Sequence, residues 1–142
     1  MIVIFDLDGT LSDCMHRRHF VSDGAHDWDN FYEACDQDKP IWSIINLLNL
    51  LRGFGYKIYI FSGRSDKVRE KTEKWLADHS VVFDFLKMRS DGDYTADDKL
   101  KESWLKDIDK KEIYMVFDDR TRVVEMWRKN GLKCLQVSNG DF

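Results

Sequence analysis

Residues 1–10 read MIVIFDLDGT: four apolar residues after Met1, then Asp6-Leu7-Asp8-Gly9-Thr10. An apolar run this short, closed by acids and a glycine, predicts a buried strand over Ile2–Leu7 that ends in a tight turn. Its continuous rather than alternating hydrophobicity means that both faces are covered, as in a parallel sheet layered by helices. Further short apolar runs follow at Tyr56–Phe61, Phe83–Met88, Ile113–Phe117 and Leu132–Val137. Helical patterns lie between them at Ile41–Arg52, Ser65–His79, Asp97–Ile108 and Thr121–Lys129. This alternation predicts an α/β fold: a Rossmann-like, mostly parallel five-stranded sheet with helices on both faces. The stretch between Leu11 and Pro40, about thirty residues, is too long for a plain strand-to-helix turn. With HRRH at 16–19 and a short helical pattern over Trp28–Cys35, it predicts a small flap within about residues 11–40.

The bulk numbers narrow the possibilities. A chain of 142 residues suits one domain, 1–142. With 43% hydrophobic and 13% aromatic residues, the composition is that of a globular protein and speaks against disorder. A net charge of −4 argues against a general nucleic-acid-coating surface but leaves room for a local basic pocket. Cys14, Cys35 and Cys134 form no CxxC pair and read as reduced thiols, so a cytoplasmic location is expected. The start is not a signal peptide, and no stretch approaches the roughly 20 apolar residues needed to span a bilayer.

In an open α/β sheet, ligands bind beyond the carboxyl ends of the strands. Three clusters fall there: Asp6-Leu7-Asp8-Gly9-Thr10, Ser62-Gly63-Arg64 and Asp118-Asp119-Arg120. Asp6 and Asp8, two apart in extended chain, point the same way. With Asp118 and Asp119 added, the carboxylates repel unless a cation sits among them, and oxygen-only ligands favour Mg²⁺. Gly9 permits a close backbone approach, while Thr10 and Ser62 offer donors to phosphate oxygens. A bound phosphate needs a fixed positive partner, for which Lys99 and Lys101 are candidates. Lys101 borders the apolar stripe of its helix, four before Leu105, whereas Lys99 falls on the outer face. Asp97, one turn before Lys101, is placed to hold its ammonium. A DxDGT run arises by chance in roughly one chain in a thousand of this length. No cysteine precedes an arginine at phosphatase spacing, and neither a GxSxG elbow nor a P-loop is present.

Asp6-Leu7-Asp8-Gly9-Thr10, Ser62, a helix lysine and Asp118-Asp119 resemble the four motifs of the haloacid dehalogenase superfamily. Within it, the chain resembles the 3′-phosphatase domain of bacteriophage polynucleotide kinase–phosphatases. That likeness is densest at Phe61–Arg64, Phe117–Trp127 and Gln136–Phe142. It implies that Asp6 attacks phosphorus and that Asp8 protonates the leaving oxygen, then activates water. It implies Mg²⁺ held by Asp6, the Asp8 backbone carbonyl and Asp118, with Asp119 in support. Ser62, Gly63 and Lys101 would serve the phosphoryl group, and Arg17 and Arg64 match the family's arginines. Asp97 matches the acid four before the family lysine. The implied substrate is a 3′-phosphate at a DNA or RNA end, removed during end repair. A 5′-kinase or ligase would then be a separate partner chain. The alternatives are a phosphatase for mononucleotides or other small phosphomonoesters and, more remotely, a receiver that only stores phosphate. Asp8 speaks against the receiver, which has no need of an acid–base at that position.

Overall fold

The computed structural model describes residues 1–140; Asp141 and Phe142, which close the resembling tail segment, lie outside the described residues. Along the chain run β1 (Ile2–Phe5), β2 (Ser12–Asp13), α1 (Trp28–Glu33), β3 (Lys39–Pro40), α2 (Trp42–Gly53) and β4 (Lys57–Ser65). Then come α3 (Arg69–Asp78), β5 (Phe85–Arg89), α4 (Asp97–Trp104), β6 (Ile113–Asp118), α5 (Thr121–Lys129) and β7 (Cys134–Gln136). The main sheet has five strands in the order β5-β4-β1-β6-β7, and every pairing is parallel.

The continuous apolar reading of β1 has a direct cause. Val3 and Phe5 face one core with Ile45 and Leu48 of α2 and Trp75 and Leu76 of α3. Ile2 and Ile4 face the other core with Leu100 and Trp104 of α4 and Val123, Val124 and Trp127 of α5. Alternate residues point to opposite faces, so a strand with helices on both sides is apolar throughout. Each fully buried large side chain contributes roughly 1.5–3 kcal/mol.

Boundaries differ from expectation at several elements: β1 stops at Phe5 rather than Leu7, and β5 spans Phe85–Arg89 rather than Phe83–Met88. The strand expected to end at Phe61 continues to Ser65, with a register shift between Ser62 and Ser65 that leaves Gly63 and Arg64 out of the pairing. Such an irregularity re-aims a side chain at a strand end, here Arg64. The helix expected from Ser65 starts as a 3-10 turn over Asp66–Val68, with the Ser65 hydroxyl accepting from the Lys67 N–H. The helix of Lys101 tightens into a 3-10 turn after Trp104, and the last strand shortens to Cys134–Gln136. The flap is closed at its base by an unforeseen antiparallel ribbon, Ser12 opposite Pro40 and Asp13 opposite Lys39. Two-residue strands leave no periodic signal. Among the described residues no helix is long and apolar enough to cross a membrane.

Candidate active site

The ends of β1, β4 and β6 lie side by side, and they bring the acids together. The Asp6 N–H donates to the Phe117 carbonyl at 2.9 Å, tying the first acid to the strand that carries Asp118. The chain then turns tightly, with the N–H groups of Thr10, Leu11 and Ser12 all donating to the Leu7 carbonyl. Gly9 adopts φ +87°, and any side chain there would collide with the Asp119 carboxylate. Both facts demand glycine. Thr10, expected to meet phosphate, is instead wholly buried and donates from its hydroxyl to Asp6 Oδ2 at 3.2 Å. It orients Asp6.

One carboxylate oxygen from each of Asp6, Asp118 and Asp119 lies within 4.8 Å of the others. Lys101 is fully buried and donates from Nζ to Asp6 Oδ1 at 2.7 Å and to Asp118 Oδ2 at 3.1 Å. Asp97 stands 3.7 Å from the same ammonium, whereas Lys99 is exposed. Trp127 supplies a further donor, its Nε1–H reaching Asp118 Oδ2 at 3.2 Å. Burial, and then the Asp118 charge, push Asp6 well above the ordinary carboxylate range against the pull of Lys101. Burial likewise pushes Asp119 up to about 6. Lys101 loses affinity for its proton through burial, but Asp118 and Asp6 outweigh this and hold it charged.

These residues fit a divalent cation. Among the described residues Asp119 Oδ2, packed against Gly9, is buried with no hydrogen-bond partner, so one carboxylate oxygen beside the cluster is left unsatisfied. An all-oxygen set suits a hard ion such as Mg²⁺. The Asp8 carboxylate lies outside this cluster, so the expectation of a ligand at Asp8 stays with its backbone carbonyl, and Asp119, expected in support, places an oxygen within the cluster.

Asp8 has a different environment. Its Oδ1 accepts from Arg17 Nη2 at 2.6 Å, from Arg64 Nη2 at 2.7 Å, from Arg64 Nε at 3.0 Å and from the Ser12 hydroxyl at 3.2 Å. Burial alone would raise its pKa, but the two guanidiniums outweigh burial and hold it well below the usual range. Arg17 and Arg64, expected to reach phosphate, are themselves fully buried. A second carboxylate, Asp38, holds both: Arg17 Nε and Nη2 donate to it at 2.8 and 2.7 Å, and Arg64 Nη2 at 3.2 Å. The buried arginines therefore clamp Asp8 from behind.

Ser62 is fully buried and accepts the Arg64 N–H at 3.1 Å, fixing the turn that aims Arg64. Gly63 is packed so closely that a side chain would strike Asp97. Asp97 Oδ1 is buried without a hydrogen bond and lines a cavity of about 330 Å³ that also reaches Asp6 and Asp8. Three residues escaped sequence reasoning: Asp38, Trp127 and Arg89, the last donating to the Gly63 carbonyl at 2.8 Å. Trp127 closes the resembling stretch Phe117–Trp127 without that likeness marking its bond to Asp118, and neither Asp38 nor Arg89 sits in a motif. Asp38 precedes Lys39-Pro40 in the flap and meets its arginines only through folding.

A parallel sheet with a strand-end carboxylate cluster and a buried lysine defines a phosphatase domain of the haloacid dehalogenase class. The chain belongs to the family described as "Polynucleotide kinase PNKP phosphatase domain", whose profile it matches over residues 1–142. It is similar to chains in two structures titled "Structure of the Pnkp1/Rnl/Hen1 RNA repair complex" (34% identity, TM-score 0.83) and "Structure of Pnkp1/Rnl/Hen1 complex" (37% identity, TM-score 0.84). Each match covers 99% of this chain but only 43% and 47% of the other, so the chain spans less than half of those relatives. The fold also recurs in a predicted phosphatase from Clostridium acetobutylicum, at 16% identity and TM-score 0.69 over 95% of this chain and 83% of that one.

Proposed function

We propose that this domain hydrolyses the 3′-phosphate of polynucleotide ends through a phosphorylated Asp6. The observation that carries the reading is the opposite electrostatic setting of two acids separated by one residue. Asp6 sits among carboxylates with Lys101 upon it, while Asp8 is turned away toward two arginines. Such divided environments mark divided roles. Mg²⁺ held by Asp6, Asp118 and Asp119, with the Asp8 carbonyl, would neutralise the phosphoryl oxygens and relieve the repulsion among the acids.

The residues do the rest. The Thr10 hydroxyl and Lys101 fix the Asp6 carboxylate, which attacks phosphorus as the ester P–O bond breaks. Without substrate, the arginines hold Asp8 ionised. Arrival of a phosphate dianion sets negative charge against Asp8 and raises its affinity for a proton, which it gives to the leaving oxygen. Ionised again, Asp8 takes a proton from the water that attacks the acyl phosphate, releasing inorganic phosphate and restoring Asp6. Lys101, Ser62 and Gly63 serve the transferring group, while Arg17, Arg64 and Asp97 position the residues around it.

Family membership supports a nucleic-acid end as substrate. The RNA repair complex of one relative favours RNA ends and cooperation with separate repair activities, a kinase or ligase among them. The test is phosphate release, with Mg²⁺, from a short 3′-phosphorylated oligonucleotide beside the same strand phosphorylated only at its 5′ end. Release from the 3′ end alone is expected. Release from neither, with an aryl phosphate still cleaved, would move the substrate to small phosphomonoesters.

A further inference from the structure

The flap helix α1 (Trp28–Glu33) buries none of its residues, yet it carries Trp28, Phe31 and Tyr32. Their ring centroids lie 5.7–6.0 Å apart, so they form one aromatic face. That face lines the cavity that also reaches Asp6 and Asp8. Phe31 is pinned from behind by the Arg17 guanidinium, 4.4 Å above its ring, and the Tyr32 hydroxyl sits 3.5 Å from the Gly63 carbonyl.

A fourth aromatic enters from the loop between β5 and α4. Tyr94 is 84% exposed, the most exposed large apolar side chain of the described residues, and it lines the same cavity. Its loop is tied down: Arg89 donates to the carbonyls of Asp93 at 3.0 Å and Thr95 at 2.6 Å, and to the Gly63 carbonyl that Tyr32 also approaches. A tyrosine left in water on a fastened loop, lining the same cavity as the exposed Trp28, offers with it π-surfaces to a planar ligand. Arg120 and Arg122, the latter paired with Asp98 at 2.9 Å, stand at the same rim as cations that a phosphate backbone can approach. A cavity of about 330 Å³ lies at the small end of ligand clefts, a size that suits one nucleobase.

Resting on the polynucleotide reading, we propose that Trp28 and Tyr94 form a stacking platform for the unpaired 3′-terminal nucleobase. The domain therefore takes single-stranded or frayed ends without reading their sequence, since every base has a π-face. A paired end must first leave its stack.

The test is steady-state kinetics of the full chain with Mg²⁺ on a 3′-phosphorylated single strand, beside the same strand with an abasic 3′-terminal nucleotide and beside a blunt duplex. The base-bearing strand should show a KM lower by roughly tenfold than the abasic one, with kcat changed far less. Trp28→Ala and Tyr94→Ala should each raise KM on the base-bearing strand and have little further effect on the abasic strand, and Trp28→Phe should restore most of the difference. Tyr94 is so exposed that its replacement leaves the fold intact. Equal KM values for abasic and base-bearing ends, or no effect of either alanine, overturn the platform and leave the 3′-phosphatase reading standing. No release from any 3′ end overturns both.

Discussion

Replacing Lys101 by methionine keeps the stem and removes the ammonium. The wild-type charge makes bonds of 2.7 Å to Asp6 and 3.1 Å to Asp118 and lies 3.7 Å from Asp97, all within a fully buried setting. Its loss leaves carboxylates facing one another with no cation between them. Removing one partner of a buried pair destabilises by about 3–5 kcal/mol. For a domain of this size that corresponds to roughly 10–15 °C in melting temperature. Protonation of Asp6, whose affinity for a proton is already raised by burial and by Asp118, absorbs part of the penalty. The loss should thus be smaller at pH 5 than at pH 8, and smaller with Mg²⁺ than with EDTA. Activity should fall by at least about a hundredfold, as expected when a donor aimed at developing charge is removed. The assays are thermal melts at both pH values, with and without Mg²⁺, and phosphate release. Lys99→Met on the exposed face is the control and should change neither. An unchanged melt for Lys101→Met, or an equal loss in Lys99→Met, would refute the placement of this lysine as the counter-charge of the acids.

Three other outcomes are expected. Asp38→Ala should destabilise by about 3–5 kcal/mol in urea unfolding, because Arg17 and Arg64 lose the carboxylate that holds them. It should also lower kcat through Asp8, and normal turnover would show that the clamp is only structural. Gly9→Ala should weaken Mg²⁺ dependence as well as stability, since the new methyl meets Asp119 and φ +87° strains any other residue by about 1–3 kcal/mol; a Mg²⁺ titration of activity reads this. Chelation with EDTA should stop phosphate release and lower the melting temperature, with Mg²⁺ restoring both. A melt indifferent to Mg²⁺ would remove the cation from the Asp6–Asp118–Asp119 cluster.

The sequence by itself determined the sheet and the acids that follow its strands, though not where each strand stops. Ile2–Phe5 is apolar at every position because helices cover both faces, and a strand reports that coverage locally. Asp6, Asp118 and Lys101 were legible for the same reason, each being fixed by the end of one strand or the face of one helix. Only tertiary structure decided what those groups do to one another. Lys101 reaches Asp6 across 95 positions, and Arg64 reaches Asp8 across 56. No local pattern records such pairings, which depend on the order of strands in the sheet. Packing buried Arg17 and Arg64, drew Asp38, a flap residue that no motif marks, in to hold them, and turned Asp119 inward against Gly9. A buried charge must find its partner wherever folding places one, and that place is set by the chain's path in space rather than by its neighbours in sequence.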